Sequence, residues 1–225
     1  RDRLRSRGLG DVYKRQELTS QTVSREDLAD KYKYFNYYYE AYGAVLSGML
    51  GEYEIEEETK EGVVKWNRQY GLKAYSPIAA GFNYQDYDDF GAARSFGYRR
   101  PHLGHDMMGL VGTPVIATES GYVEALGWNR YGGWRIGIRS FDKKRYYYYA
   151  HLDSYAPLSV GDTVTAGQLL GFMGNTGYSK VEGTKGKFDV HLHFGIYVTD
   201  ENGTELAVNP CYLLKTIENK VLYYQ

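Results

Sequence analysis

The 225 residues carry 27 Lys and Arg against 28 Asp and Glu, a formal net charge of −1, so the electrostatic footprint of a nucleic-acid binder is missing. A single Cys excludes a disulfide framework and any multi-cysteine zinc module, while 43% hydrophobic and 16% aromatic residues describe a chain that folds. The longest mostly apolar stretch, residues 41–50, is too short to span a membrane, and a chain of this length buries roughly 70% of its unfolded surface, enough for a core without disulfides.

In chain order, the string SRGLGDVYKRQ at residues 6–16 resembles an in-frame translation of a transposase adapter used to build sequencing libraries. Residues 1–16 are therefore expected to be a scar and are set aside from fold reasoning, which leaves the native N-terminus, with any signal or anchor, missing. Ser24-Arg25-Glu26-Asp27 has the pattern of a capping box. After it, Leu28, Tyr32, Phe35, Tyr39, Tyr42, Val45, Leu46 and Met49 recur at spacings of three and four, one apolar helix face running to Leu50 with Gly51 as its stop. Residues 52–61, with six Glu and one Lys, read as a solvated linker or helix end. Residues 17–72 are thus expected to be a helical stalk or packing segment.

From Tyr75 the texture changes. Glycines punctuate β-prone runs at Pro114–Thr118, Tyr122–Trp128, Trp134–Ser140, Tyr146–His151, Gln168–Met173 and His191–Thr199. Many short strands between turn signals predict a mainly β, antiparallel domain; Val160–Gly171 reads as strand, tight turn, strand, and no solenoid period is present. The 25 Tyr residues suit half-buried sheet faces, or in part a tyrosine-lined groove for a sugar or peptide polymer. Cys211 reads as a small packed residue.

The five histidines are clustered: His102-Leu103-Gly104-His105-Asp106, His151, and His191-Leu192-His193-Phe194. On a strand, His191 and His193 share a face, and two imidazoles side by side in a core are expensive unless something satisfies them. A metal ion does so, and imidazole with carboxylate suits tetrahedral Zn²⁺ with one position left for water. The spacing of His102 and Asp106 would align them on a helix, but Gly104 and Gly109 favour a strand end or turn.

Taken together, His102-x-x-x-Asp106 with Gly104 between, Ala150-His151-Leu152, the Val160-Gly161-Asp162…Gly167-Gln168 segment and His191-Leu192-His193-Phe194 resemble the lysostaphin-like (LytM-type) zinc endopeptidases of bacterial cell walls. The resemblance covers about residues 76–214. It implies an antiparallel β-sheet catalytic domain with an open groove at residues 73–216, a C-terminal tail at 217–225, and one Zn²⁺ held by His102, Asp106 and His193. It places His151 and His191 beside the metal as candidates for the general base and for stabilising the oxyanion; His105 matches no role and reads as structural. The implied function is hydrolysis of peptide cross-links or stem peptides of peptidoglycan through a metal-activated water, at an extracytoplasmic, secreted or cell-wall site. The alternative is a non-catalytic wall-binding or hydrolase-regulating module of the same fold.

The sequence departs from the family pattern in one place. Thirteen residues, Tyr178–Val190, separate Gly174-Asn175-Thr176-Gly177 from His191, where the family usually has a few, and they are expected to form a longer groove wall. In some relatives an upstream Asn blocks the zinc, a part Asn83 could take here. Tyr122, Trp128, Trp134 and Tyr146–Tyr149 are the aromatics closest to the motifs in sequence and are candidates for lining the groove.

Overall fold

The computed structural model describes residues 23–58, 64–200 and 202–223; the proposed scar at residues 1–16 lies outside them. The chain divides after Gly43 into two compact units. In the first, helix α1 (Arg25–Lys31) begins with the capping box, Asp27 N–H donating to Ser24 Oγ at 3.1 Å and Ser24 N–H to Asp27 Oδ2 at 3.0 Å. The apolar periodicity does not run on as one helix. It breaks at Tyr32, whose backbone turns extended, and restarts as α2 (Phe35–Ser47). Arg25 lies over the Tyr39 ring at 4.2 Å, and Tyr34, Tyr37, Tyr38 and Tyr39 remain exposed.

Over its described part, the segment expected at 52–61 to be a linker or helix end is strand instead. Strands β1 (Leu50–Glu58) and β2 (Val64–Leu72) form an antiparallel hairpin in unbroken register from Leu50↔Leu72 to Glu58↔Val64. The glutamates concealed a period of two: Glu52, Glu54 and Glu56 alternate with Gly51, Tyr53 and Ile55 in sequence, the period of a strand rather than of a helix turn.

The second unit is dominated by a ten-stranded sheet of antiparallel pairs. Its strands are β3 (Gln85–Asp86), β6 (His105–Met108), β7 (Pro114–Ile116), β8 (Gly121–Asn129), β9 (Gly133–Ser140), β10 (Arg145–Tyr155), β11 (Thr163–Val164), β12 (Leu169–Met173), β13 (His191–Thr199) and β14 (Glu205–Val208). The main path runs β11-β8-β9-β10-β13-β6-β3. A separate short hairpin, β4 (Ala93–Arg94) with β5 (Arg100–Pro101), precedes β6. No helix of the described residues is long and apolar enough to cross a membrane.

The sheet has one dry and one wet face. Tyr147 and Tyr149 on β10 and Leu192, Phe194 and Ile196 on β13 are buried together with Ile136, Ile138 and Met107; the Phe194 ring lies 6.2 and 5.2 Å from the two tyrosine rings. The alternate residues Tyr148, His193 and Tyr197 face a groove instead. Beneath the sheet, Arg145 places Nε and Nη2 2.9 Å from the two oxygens of Glu119, which also accepts from Tyr147 Oη at 2.6 Å. Gly48, just past α2, is where the Arg145 guanidinium rests; a Cβ there would overlap it.

Helix α3 (Cys211–Ile217) buries Cys211, Leu213, Leu214 and Ile217, and burial pushes the Cys211 thiol up. The residues after it do not hang free. Lys220 and Leu222 carbonyls accept from Ser76 and Ala80 N–H at 2.9 and 2.8 Å.

Candidate metal centre

Four segments deliver the histidines. In the β6–β13 register Asp106 stands opposite His193, and in the β10–β13 register Ala150 stands opposite His193. Directly opposed residues share a face, so Asp106 and His193 meet over the groove. His102 follows β5 and is pinned to the 91–92 backbone, its N–H donating to Ala92 O at 2.8 Å while its carbonyl accepts from Gly91 at 2.7 Å. Gly104 allows the turn back into β6 to pass close to the site. A Cβ there would lie 2.5 Å from His193 Nε2 and 2.9 Å from the Phe194 carbonyl.

The result is a tight triangle of ligand atoms. His102 Nε2 lies 2.8 Å from His193 Nδ1 and 3.1 Å from Asp106 Oδ1, and His193 Nδ1 lies 3.0 Å from Asp106 Oδ1. Donors at ~2.0–2.1 Å from a tetrahedral zinc stand about 3.3 Å apart, so a small expansion of a few tenths of an ångström is all that separates this triangle from a zinc site. His102 Nδ1 faces the Asp89 carbonyl at 3.2 Å and Asp89 Oδ2 at 3.1 Å. That commits its proton there and leaves Nε2 as the bare donor atom. Without metal, burial works against a charged ring, but Asp106 and Asp89 override it and push His102 up to about 9. Burial likewise opposes ionised Asp106, yet hydrogen bonds from His102 and His193 hold its carboxyl far below the usual range. These residues fit a divalent cation.

Sequence reading had no way to find the supports of this triangle. Arg94 on β4 places Nη2 2.8 Å from Asp106 Oδ2 and 2.6 Å from Asp89 Oδ2. It occupies one Asp106 oxygen, leaving the other to face the imidazoles, and ties that carboxylate to the one behind His102. Removing such outer partners usually costs a site 10- to 100-fold in metal affinity. Arg94→Ala should therefore weaken zinc binding by about that factor in a chelator-competition titration.

His151 reaches the groove through a backbone irregularity. Along β10, Tyr148 lines the groove and Tyr149 is buried, so plain alternation would turn residue 151 inward. The pairing slips between Tyr149 and Leu152, and His151 adopts φ +64°, a left-handed conformation that costs a non-glycine residue about 1–3 kcal/mol. A bulge of this kind re-aims a side chain. His151 Nδ1 lies 2.7 Å from Thr176 O, which makes Nδ1 the protonated nitrogen and leaves Nε2 free to accept. Burial, then the His191 and His193 rings, hold this imidazole well below its ordinary value.

His191 is held in the same way, with Nδ1 2.7 Å from Asp189 O and Nε2 3.7 Å from Asp106 Oδ1. Its ring lies 4.7 Å from that of His151. Phe188, which carries no sequence signal of its own, packs against both rings at 4.4 and 5.1 Å. The segment Tyr178–Val190 thus contributes Tyr178 to the groove lining and Phe188 to the support of the histidines. His105 points away: it is fully buried, with Nε2 2.7 Å from Asp86 Oδ2. Asn83 is exposed and is not among the groove-lining residues.

The groove encloses ≈ 340 Å³. Of the aromatics expected there, Tyr148 lines it, whereas Tyr147 and Tyr149 are core and Tyr122, Trp128, Trp134 and Tyr146 do not line it. Tyr98, Tyr131, Tyr178 and Tyr197 line it instead. Trp128 and Trp134 brace the long loop, donating from Nε1 to Ser179 O at 3.3 Å and to Glu182 Oε1 at 3.2 Å.

Comparison with known proteins matches residues 100–210 to peptidase family M23. The L-Ala–D-Glu endopeptidase of Bacillus subtilis is 44% identical over 135 residues, 60% of this chain and 40% of that protein. Lysostaphin of Staphylococcus simulans is 42% identical over 116 residues, 51% of this chain and 22% of that protein. This chain therefore spans less than half the length of these curated relatives. The crystal structure of a candidate glycyl-glycine endopeptidase, LytM, of Ruminococcus gnavus superposes with a TM-score of 0.59 at 39% identity, covering 67% of this chain and 62% of that one. The mainly antiparallel sheet, the order of the motifs and these matches agree, and residues 100–210 are a peptidase M23 domain.

Proposed function

We propose that residues 73–216 form a zinc-dependent endopeptidase domain that cuts peptide stems or cross-bridges of peptidoglycan. The observation that carries this reading is the convergence of His102 Nε2, His193 Nδ1 and Asp106 Oδ1 within 4.8 Å of one another, with two further imidazoles beside them that are no part of the triangle. Bound zinc supplies an acidified water and a polarised scissile carbonyl. His102, Asp106 and His193 hold the ion. His151, neutral and with Nε2 bare, removes a proton at that nitrogen and returns it to the leaving amine. His191, anchored through Nδ1 with its ring 4.7 Å from that of His151, presents Nε2 to the same site and stabilises the developing oxyanion. Phe188 keeps water from the outer faces of both rings.

The names of the relatives point to two substrate chemistries, an Ala–Glu bond and glycine bridges, and both are peptide linkages suited to the same site. Work on the cell wall puts the domain outside the cytoplasm, secreted or wall-associated. The test is release of new amino groups from purified peptidoglycan by zinc-loaded protein, beside a chelated control. Release that stops with chelator and returns with zinc is expected. An unchanged rate after complete metal removal would sink the proposal, as would no release from any wall preparation by protein carrying one zinc per chain.

A further inference from the structure

Arg100, which lines the groove, and Arg130 beside it have no carboxylate within 4.0 Å among the described residues. Arg94, the third arginine nearby, is committed to Asp89 and Asp106. Arg100 has no carboxylate within 4.0 Å among the described residues, yet its guanidinium is held: Nη1 donates to Phe96 O at 2.7 Å, and Cζ sits 4.4 Å from the centre of the Tyr131 ring. The rings of Tyr98 and Tyr178 lie 5.9 Å from the same guanidinium. Arg130 lies against that same Tyr131 ring at 4.7 Å, again with no carboxylate in reach among the described residues. Two guanidiniums drawn to one ring repel each other unless an anion joins them.

The anchoring is also specific. One N–H of Arg100 is used by a backbone carbonyl and its face is covered by tyrosine, so the planar fork is oriented while most of its donors remain unused. Tyr131 and Arg100 both line the groove. Apart from the imidazoles, the charged lining residues are Arg94, Arg100 and Asp106, and Asp106 is already answered by Arg94 and the histidines. The groove therefore presents positive charge beyond whatever the metal adds.

Position narrows the ligand further. Arg100 and His102 are two residues apart on extended backbone, so they face the same side about 7 Å apart along the strand. An extended substrate with its scissile carbonyl at the metal would bring a side group one or two residues away to Arg100. On the hydrolase reading above, we infer that Arg100, with Arg130 behind it, takes a free carboxylate of the substrate peptide close to the scissile bond. The preferred substrate is then an acidic stem peptide, such as one cut beside glutamate, rather than an uncharged glycine bridge.

The probes are a synthetic Ala–D-Glu–Lys stem peptide with its free glutamate carboxylate intact and a twin in which that carboxylate is a carboxamide. Zinc-loaded wild type should cleave the carboxylate peptide about 10- to 100-fold more efficiently, the range of a charge-assisted hydrogen bond, with the difference mainly in KM. Arg100→Gln should bring the ratio of the two efficiencies close to one, and Arg100→Lys should restore part of it. A wild-type ratio near one overturns the inference, and so does a ratio that survives Arg100→Gln, including the case where both peptides slow equally. If neither peptide is cut while whole peptidoglycan still releases amino groups, the inference is overturned and the hydrolase reading stands; if peptidoglycan is not cut either, the hydrolase reading is what fails. Titration calorimetry of the two peptides on the same proteins then decides the inference: tighter carboxylate binding that Arg100→Gln abolishes supports it, and equal binding ends it.

Discussion

Replacing His193 by alanine should leave a folded domain that no longer retains zinc. The side chain supplies one corner of the triangle, with Nδ1 2.8 Å from His102 Nε2 and 3.0 Å from Asp106 Oδ1. Two ligands remain, and the loss of affinity should exceed the roughly 10- to 100-fold typical of outer-sphere changes. The fold should persist because the neighbours of His193 on β13, Leu192 and Phe194, are the buried ones, and they pack on the opposite face of the sheet. Metal content after desalting should fall from one zinc per chain to none, and peptidoglycan cleavage should disappear with it. The far-ultraviolet circular dichroism should stay that of the wild-type metal-free protein. A variant that still holds stoichiometric zinc would remove His193 from the ligand set.

His151→Ala is the complementary case: zinc should stay and turnover should fall by about 10²- to 10⁴-fold, the usual worth of a positioned general base. The ring lies outside the triangle, and its Nδ1 is committed to Thr176 O at 2.7 Å, so its removal disturbs no ligand. Its protonation also sets a pH dependence. Burial and the adjacent imidazoles favour neutral His151 well below the ordinary histidine value, and bound zinc pushes in the same direction. A base is active when deprotonated, so a lowered pKa extends activity to lower pH. The acidic limb of kcat/KM that belongs to His151 should therefore fall below pH ~6.5. Wild-type turnover by His151→Ala would rule out the assigned role, and an acidic limb above neutrality would contradict the environment described for the ring.

These two variants also separate what was legible in the sequence from what was not. The shared face of His191 and His193 follows from the period of two along any strand, and the structure keeps it. The antiparallel β character was equally readable, because glycines and turn residues interrupt β-prone runs at short intervals. The capping box at Ser24 was local enough to be read directly. Where a signal was masked by composition, reading failed: the glutamates of residues 52–58 read as solvent-facing linker, although residues 52–56 alternate Glu with Tyr or Ile as in a strand. The helix after Ser24 was overextended for a related reason, since apolar spacing does not register the backbone break at Tyr32.

The sequence by itself determined the strand-rich class, the chemistry of the histidine and aspartate set and the order in which its members occur, because those depend on residue type and near-neighbour spacing. Only the tertiary structure decided how the set is used. The opposition of Asp106 to His193 depends on the register of β6 against β13, a pairing between segments 87 residues apart. His151 faces the groove only because a bulge and a positive φ reverse the alternation that sequence would assign. Arg94, Asp89, Phe188 and Arg100 carry no motif; what they do comes from long-range packing that sets an arginine on a ligand's second oxygen, a phenyl ring on two imidazoles and a guanidinium on a tyrosine face.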